Sequence, residues 1–457
     1  METERTIRYL RTLFQGTDKM TNSEMQKFIV DEIVKTPYKC IEKHSVHKLM
    51  GTDYIPGLFW VRDRREKPDF LLHESETALD QWLLGKLAGE LEQLSKSKNL
   101  SETIQKTGKE TILSHAVNIL MFVDGNDVPF LDKIINQEYS DLFRRIFMLI
   151  LTGNSLSIYN NHKQFNELGR RIVPLILEKT RRYDFRDRLY QSIASGLIGV
   201  DIKEENISTA PVSLDSSFSL NQGSVSELSD QLERYIGNPN KIGIDCFSQY
   251  DSEVIKGRNK KIVWITDDYI QTVFELKLIE EQMRFNESLI FTLIPRYDSY
   301  ANDASYDDVM GMLDFDILSL LHTYYRQKRF CVCRDGMDIS TFDGYRLSEE
   351  AYAAIAEADI VVLSGARAYE MSQGMNKTVY YTGIAVCKGY TESITGFSKE
   401  SGKLIFLRQD KGEHSFSEFA KRATRRMKTE NGFIPVAGKT AREYYEEKYG
   451  KNETGQR

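Results

Sequence analysis

The stretch IVWITDDYIQTVFEL, Ile262–Leu276, joins a strand signal to a helix signal and sets two carboxylates at the junction. Ile262, Val263, Ile265 and Thr266 are β-branched, the usual filling of a buried strand. Beyond the junction, Ile270, Val273, Phe274, Leu278 and Ile279 recur at helical spacing. Asp267 and Asp268 stand between the two patterns. One acid there is explained by the helix N-terminus, which favours negative charge. A pair asks for more, because neighbouring carboxylates repel and each desolvated charge needs a partner. A divalent cation supplies one. Hard oxygen ligands suit Mg²⁺ or Mn²⁺, with other transition metals left open.

The same alternation runs through the rest of this half of the chain. KIGIDCF, KKIVWITDD, SLIFTLIP, RFCVC, ADIVVLSG and KLIFLR are short β-rich runs, with helical segments between several of them. Strand–helix alternation implies a parallel or mostly parallel sheet with helices on its faces, an α/β fold. Such sheets bind ligands at the carboxyl ends of their strands. Three strand ends carry chemistry. The first has Asp267 and Asp268. The second, LIFTLIPRYDSYANDASYDD, has Asn302 and Asp303 just before a helix, where Ser305 and Asp308 have capping-box spacing. The third, ADIVVLSGARAYE, ends on Ser364 and Gly365, with Arg367 and Glu370 following. Asp267, Asp303 and Ser364 are expected at one edge of one sheet, on adjacent or nearly adjacent strands. Asp267, Asp268 and Asp303 are expected to share one cation.

The preceding half reads as helical. ETALDQWLLGKLAGELEQLS and LFRRIFMLIL carry broad apolar faces, and β-rich runs are rare. The serine-rich NISTAPVSLDSSFSLNQGSVSELSD reads as a linker or long surface loop. The expected division is an α-helical domain over residues 1–200, a linker or loop over 201–234, an α/β domain over 235–440 and a charged tail over 441–457. A chain of 457 residues is too long for one ordinary core, which agrees with that division.

Composition narrows the function classes. Hydrophobic residues at 41% and charged residues at 28% fit a soluble globular protein. A net charge of −6 argues against nucleic acid held by a global positive field. The basic cluster AKRATRRMK reads as a solvated helix face. METERTIRYL lacks the apolar core of a signal peptide, and runs such as IFMLIL, Ile146–Leu151, are too short to span a bilayer, so no membrane partner is expected. Cys40, Cys246, Cys331, Cys333 and Cys387 are dispersed, as free thiols of a cytoplasmic protein would be. His115 reads as a core or boundary histidine. P-loop, dinucleotide and nucleophile-elbow motifs are absent from the sequence.

From Lys241 to Arg408 the order of motifs resembles the damage-control metal-phosphatase family, the group with the acidic-residue-methyltransferase-like metal-binding domain. In that family a strand ends in Asp-Asn-Ala-Gly before a helix, and DDYIQTVFELKLIEE holds the place here. ANDASYDDV matches the family's Asn-Asp-Ala-Thr-like turn, and ADIVVLSGARAYE fills the place of a strand ending in Lys-Gly with Asn and Glu after it. TVYYTGIAVCKGY echoes a further stretch with a Lys-Cys pair. The resemblance implies a divalent metal held by Asp267, Asp268 and Asp303, with Asp267 and Asp303 catalytic. It implies Asn302, Ser364, Gly365, Arg367 and Glu370 on the substrate and phosphate side. The implied reaction is hydrolysis of a small phosphorylated metabolite such as a sugar phosphate.

The sequence departs from the family at named positions. Asp268 stands where the family has Asn, Ile270 replaces the glycine, Ser364 replaces the lysine that would meet phosphate, and Ala368 replaces an asparagine, while Glu370 is kept. Arg367 and Arg296 are the candidate replacements for the missing positive charge. Two alternatives therefore stand beside the phosphatase reading. One is a non-catalytic ligand-binding or regulatory protein on the same fold, and the other is a metal-dependent α/β transferase.

Overall fold

A computed structural model describes residues 2–33, 43–51, 87–92, 94–95, 98–122, 139–153, 162–171, 173–196, 229–230, 232–234, 236–297, 303–336, 344, 346–365, 368–369, 372, 374–385 and 403–412. They fall into two compact units, one drawn from Met1–Thr36 and Asp63–Ile158 and the other from Pro37–Arg62 and Tyr159–Ala423. Residues 201–228, the basic cluster from Ala420 to Lys428 and residues 441–457 lie outside the described residues.

The first unit is helical where described. It contains α1 (Glu2–Arg11), α2 (Asn22–Ile33), α4 (Lys98–Thr107), α5 (Lys109–Leu120) and α6 (Tyr139–Thr152), with α3 (Lys43–Met50) belonging to the second unit. Ile7 and Leu10 of α1, Ile112, Ala116 and Ile119 of α5, and Phe143, Ile146 and Phe147 of α6 are buried. Period-3.6 apolar spacing puts each set on one helix face. His115 is buried, its Nδ1 lies 2.9 Å from Thr6 Oγ1, and its ring stacks on Tyr9, which bears out the core reading. IFMLIL falls in α6, and no described helix is long and apolar enough to cross a membrane.

The second unit carries a seven-stranded sheet, β1 (Ile242–Asp245), β2 (Lys261–Ile265), β3 (Ile290–Ile294), β4 (Phe330–Val332), β5 (Ile360–Ser364), β6 (Thr378–Ala385) and β7 (Lys403–Gln409), in the order β1-β7-β6-β5-β2-β3-β4. All neighbouring pairs are parallel except β6 with β7, so the mostly parallel α/β fold is as expected. Its helices include α7 (His162–Arg171), α8 (Val173–Lys179), α9 (Phe185–Ser195), the short α10 (Phe247–Tyr250), α11 (Tyr269–Phe285), α12 (Tyr306–Met312), α13 (Ser319–Arg326) and α14 (Glu349–Glu357).

Residues 159–200 lie on the helical side of the boundary expected from sequence, yet their helices belong to the sheet-bearing unit. Leu168, Val173, Leu189, Tyr190 and Ile193 share one hydrophobic cluster with Trp264, Val273 and Phe291. Leu232, near the end of the expected linker, is buried in the same cluster, as is Ile236 just beyond it. A helical pattern tells that a segment is a helix and which face is apolar. It does not tell which neighbour covers that face.

Helix α11 is buried nearly all round, from Tyr269 to Met283, which is why apolar residues occur on every side of it. Several of its buried polar groups are hydrogen-bonded. Glu280 accepts from the Leu321 N–H at 2.8 Å, and Gln282 accepts from the Tyr250 hydroxyl at 2.9 Å. From β2 the chain moves to β3 and β4 on one side, and then to β5 and β6 on the other. The reversal falls between β2 and β5, where an open α/β sheet leaves a crevice at the strand carboxyl ends. Strands β5, β2 and β3 are neighbours in the sheet, so the ends carrying Ser364, Asp267 and the Asp303 turn lie together, as expected.

Leu293 sits in the middle of β3, paired with Trp264 and Val332 and fully buried. Leu293→Ala is expected to lower unfolding free energy by about 2–5 kcal/mol in urea titration; a loss under about 1 kcal/mol would contradict this placement of the core.

Candidate metal centre

The chain leaves the sheet at Thr266, whose N–H donates to the Ile294 carbonyl at 3.3 Å. Asp268 then holds the N-cap position of α11 in extended backbone, but its side chain makes no cap hydrogen bond. Helix capping therefore does not explain the acid. The turn after β3 folds back to meet it. Ala304 N–H donates to the Asp267 carbonyl at 2.8 Å, Arg296 N–H donates to the Ala304 carbonyl at 3.0 Å, and Asp268 and Asp303 form an antiparallel bridge. Ser305 caps α12 in a capping box with Asp308, as the spacing predicts. Asp303 is thus no cap either.

This backbone weave brings one carboxylate oxygen each from Asp267, Asp268 and Asp303 within 4.8 Å of one another. Oxygens bonded to one hard cation at about 2.0–2.6 Å cannot lie much more than about 5 Å apart. The three side chains can therefore hold a divalent ion, and an all-carboxylate set suits a hard one.

Two further features shape the centre. Gly365 follows β5 with φ +91°, and a Cβ there would come 2.0 Å from Asp267 Oδ2. Only glycine lets the β5 end press so closely against that carboxylate. Beneath the acids lies Arg296, 2% exposed. Its Nε donates to Asp303 Oδ2 at 3.1 Å and its Nη1 to Asp335 Oδ2 at 3.4 Å, while Nη2 lies 3.7 Å from Asp267 Oδ1. Burial pulls the Arg296 pKa down, but Asp303, Asp335 and Asp267 outweigh it and hold the pKa above the ordinary arginine value. The candidate role of Arg296 as a phosphate cation is corrected accordingly: its guanidinium is engaged by the carboxylates.

Asp335 is the residue that sequence reading missed. It is fully buried and also accepts from the Tyr297 N–H at 2.7 Å. The signal was present, since RFCVCRD is again a β-rich run followed by an acid.

The anion side differs more from expectation. Ser364 is fully buried. Its hydroxyl donates to Glu275 Oε1 at 2.6 Å and accepts from Thr382 Oγ1 at 2.9 Å and Trp264 Nε1 at 3.2 Å. One donor and two lone pairs are the whole capacity of a hydroxyl, so Ser364 does not face a ligand. The Gly365 N–H is likewise engaged, donating to the Thr382 carbonyl at 2.9 Å. At both positions expected to supply phosphate donors, the donor group is used within the protein. Asn302, Arg367 and Glu370 lie outside the described residues. Cys246, Cys331 and Cys333 are free thiols, and burial pushes the Cys333 thiol up to about 12.

Glu275 itself, on α11, is fully buried. Besides Ser364, it accepts from Thr266 Oγ1 at 2.6 Å and Gln271 Nε2 at 2.9 Å. Burial raises its pKa, and these hydrogen bonds only partly offset the rise.

No family profile matches the chain, and no curated protein matches it. Among solved structures, the crystal structure of a DUF89 family protein from Pyrococcus horikoshii is similar at 16% identity and a TM-score of 0.49, covering 71% of this chain and 97% of that one. A likeness of this degree identifies neither activity nor substrate.

Gly365→Ala is expected to destabilise the protein by more than about 1 kcal/mol, because the residue has positive φ and its Cβ meets Asp267. It is also expected to weaken divalent-cation binding. Urea unfolding and calorimetric Mn²⁺ titration check both, and an unchanged titration would mean that Asp267 takes no part in binding.

Proposed function

We propose that this protein is a divalent-metal-dependent phosphatase-like protein acting on a small phosphorylated metabolite such as a sugar phosphate. The observation that carries the reading is the convergence of Asp267, Asp268 and Asp303 within 4.8 Å, where the strand order reverses. The motif order resembling the damage-control phosphatases supports the same reading. A bound Mg²⁺ or Mn²⁺ supplies charge neutralisation at phosphate and a more acidic water.

The chain's own residues do the placing. Asp267 and Asp303 enter from adjacent strand ends, and Arg296 steadies both from below. Asp268 adds a carboxylate where the family has an amide, which strengthens cation binding and repels phosphate when no cation is present. Of the positive groups proposed from sequence for the phosphate, Arg367 is the one left, since Arg296 is engaged by the acids. A charge-assisted contact from Arg367 to a desolvated phosphate is worth on the order of 1.5–3 kcal/mol.

A second reading, binding of a phosphate ester without turnover, is favoured by one specific observation. The Ser364 hydroxyl and the Gly365 N–H both point their hydrogen bonds into the protein. A transferring phosphoryl group then meets fewer fixed donors than in the family pattern.

Mn²⁺ or Mg²⁺ is expected to raise the melting temperature, by about 2.7 kcal/mol of stability at a hundredfold excess over Kd. Asp267→Ala should abolish the gain, while Asp268→Asn should weaken it less because an oxygen ligand is kept. Phosphate release from a panel of phosphometabolites with Mn²⁺ present separates the readings: release supports the phosphatase, binding alone supports the second reading, and a protein that takes up no divalent cation excludes both.

A further inference from the structure

Glu275 has no part in the scheme above, yet its surroundings are built with unusual completeness. Its two oxygens accept from groups on three separate elements. Thr266 is the last residue before Asp267, Gln271 lies in the first turn of α11, and Ser364 is the last residue before Gly365. Thr266 and Gly365 are the two walls of the Asp267 carboxylate. One precedes it in the chain, and the backbone of the other lies so close that a Cβ would come 2.0 Å from Oδ2. The network also reaches Asp268. With the Thr266 hydrogen given to Glu275, the single Thr272 hydroxyl hydrogen is placed between two acceptors, Thr266 Oγ1 and the Asp268 carbonyl at 2.8 Å. Trp264 and Thr382 complete the Ser364 hydroxyl from the β2 and β6 sides.

We infer that Glu275 is a positioning residue that fixes the separation of the β2 and β5 ends and thereby the placement of the cation ligand Asp267, whose carboxylate packs against Gly365 at the β5 end. This role rests on the cation-site reading proposed above. A carboxylate is one group that can accept from both strand ends and from the helix at once. Shortening it by one methylene leaves one of the two strand ends unheld. An amide can keep the geometry. Its oxygen accepts from Ser364 and Gln271, its NH₂ donates to Thr266 Oγ1, and the Thr266 hydrogen turns to Thr272.

The test compares Glu275→Asp, Glu275→Ala and Glu275→Gln with the unmutated protein, using calorimetric Mn²⁺ titration and the frozen-solution EPR spectrum of bound Mn²⁺. Outer-layer partners of metal ligands typically change metal affinity by about 10–100-fold. Glu275→Asp and Glu275→Ala are expected to lose affinity in that range and to broaden the EPR lines, while Glu275→Gln stays within about threefold of the unmutated protein with its spectrum intact. Thr382→Val removes a hydrogen bond from the far side of the same network. It is expected to lower the urea midpoint with Mn²⁺ affinity unchanged. If Thr382→Val loses affinity in step with stability, or if Glu275→Asp binds Mn²⁺ with unchanged affinity and spectrum, the positioning role is overturned and the cation site stands. If the unmutated protein binds no Mn²⁺, the cation site falls and this role with it. Should Glu275→Ala fail to fold, the contrast between Asp and Gln decides.

Discussion

The interaction on which the carboxyl edge of this sheet depends is the buried guanidinium of Arg296. It follows β3 directly, and its donors reach Asp303 and Asp335 while its charge faces Asp267. Those acids come from the ends of β2, β3 and β4, so one side chain links three strands. Burying an arginine is costly unless carboxylates and hydrogen bonds replace its water. Removing it is costlier still, because the acids would keep their burial and lose their counter-charge. The backbone weave around Asp303 follows the same logic. The Arg296 N–H and carbonyl clamp Ala304 and Tyr306, holding the turn that presents Asp303.

Below that edge, α11 acts as the second organising element. It is the helix that the opening strand runs into, and it is covered on nearly every side. Its buried polar residues are therefore committed inside the protein. Gln282 reaches Tyr250, Glu280 reaches the start of α13, and Glu275 reaches the ends of β2 and β5. The hydrogen-bonded set around Glu275, which joins both strand ends to the helix, gives one arrangement in place of many.

Much of this was legible in the sequence. The β-branched runs ending in polar residues placed β2, β3 and β5, and the acids after them marked the edge where they meet. The capping box at Ser305 was readable from two residues at fixed spacing. What was not legible depends on contacts across the fold. The substitution of lysine by Ser364 reads as a weakened phosphate site until the structure places its hydroxyl between Glu275, Trp264 and Thr382. Arg296 reads as a spare cation until three acids surround it. The helices of residues 162–195 read as part of a helical domain until their apolar faces are found in the core of the sheet-bearing unit. Spacing along the chain carries local geometry, and partner choice lies outside it.

The position of β7 has a consequence for how this molecule is made. Its neighbours are β6, which it pairs with antiparallel, and β1, the first strand of the sheet to leave the ribosome. Among the described strands β1 has no other partner, so it stays an open edge through the synthesis of those between. Contacts between segments so distant in sequence form slowly, and exposed edges in the interval invite association with other chains. Among the described strands the last synthesised thus closes the first into the sheet, and a ribosome stalled before β7 would hold a nascent chain in need of a chaperone.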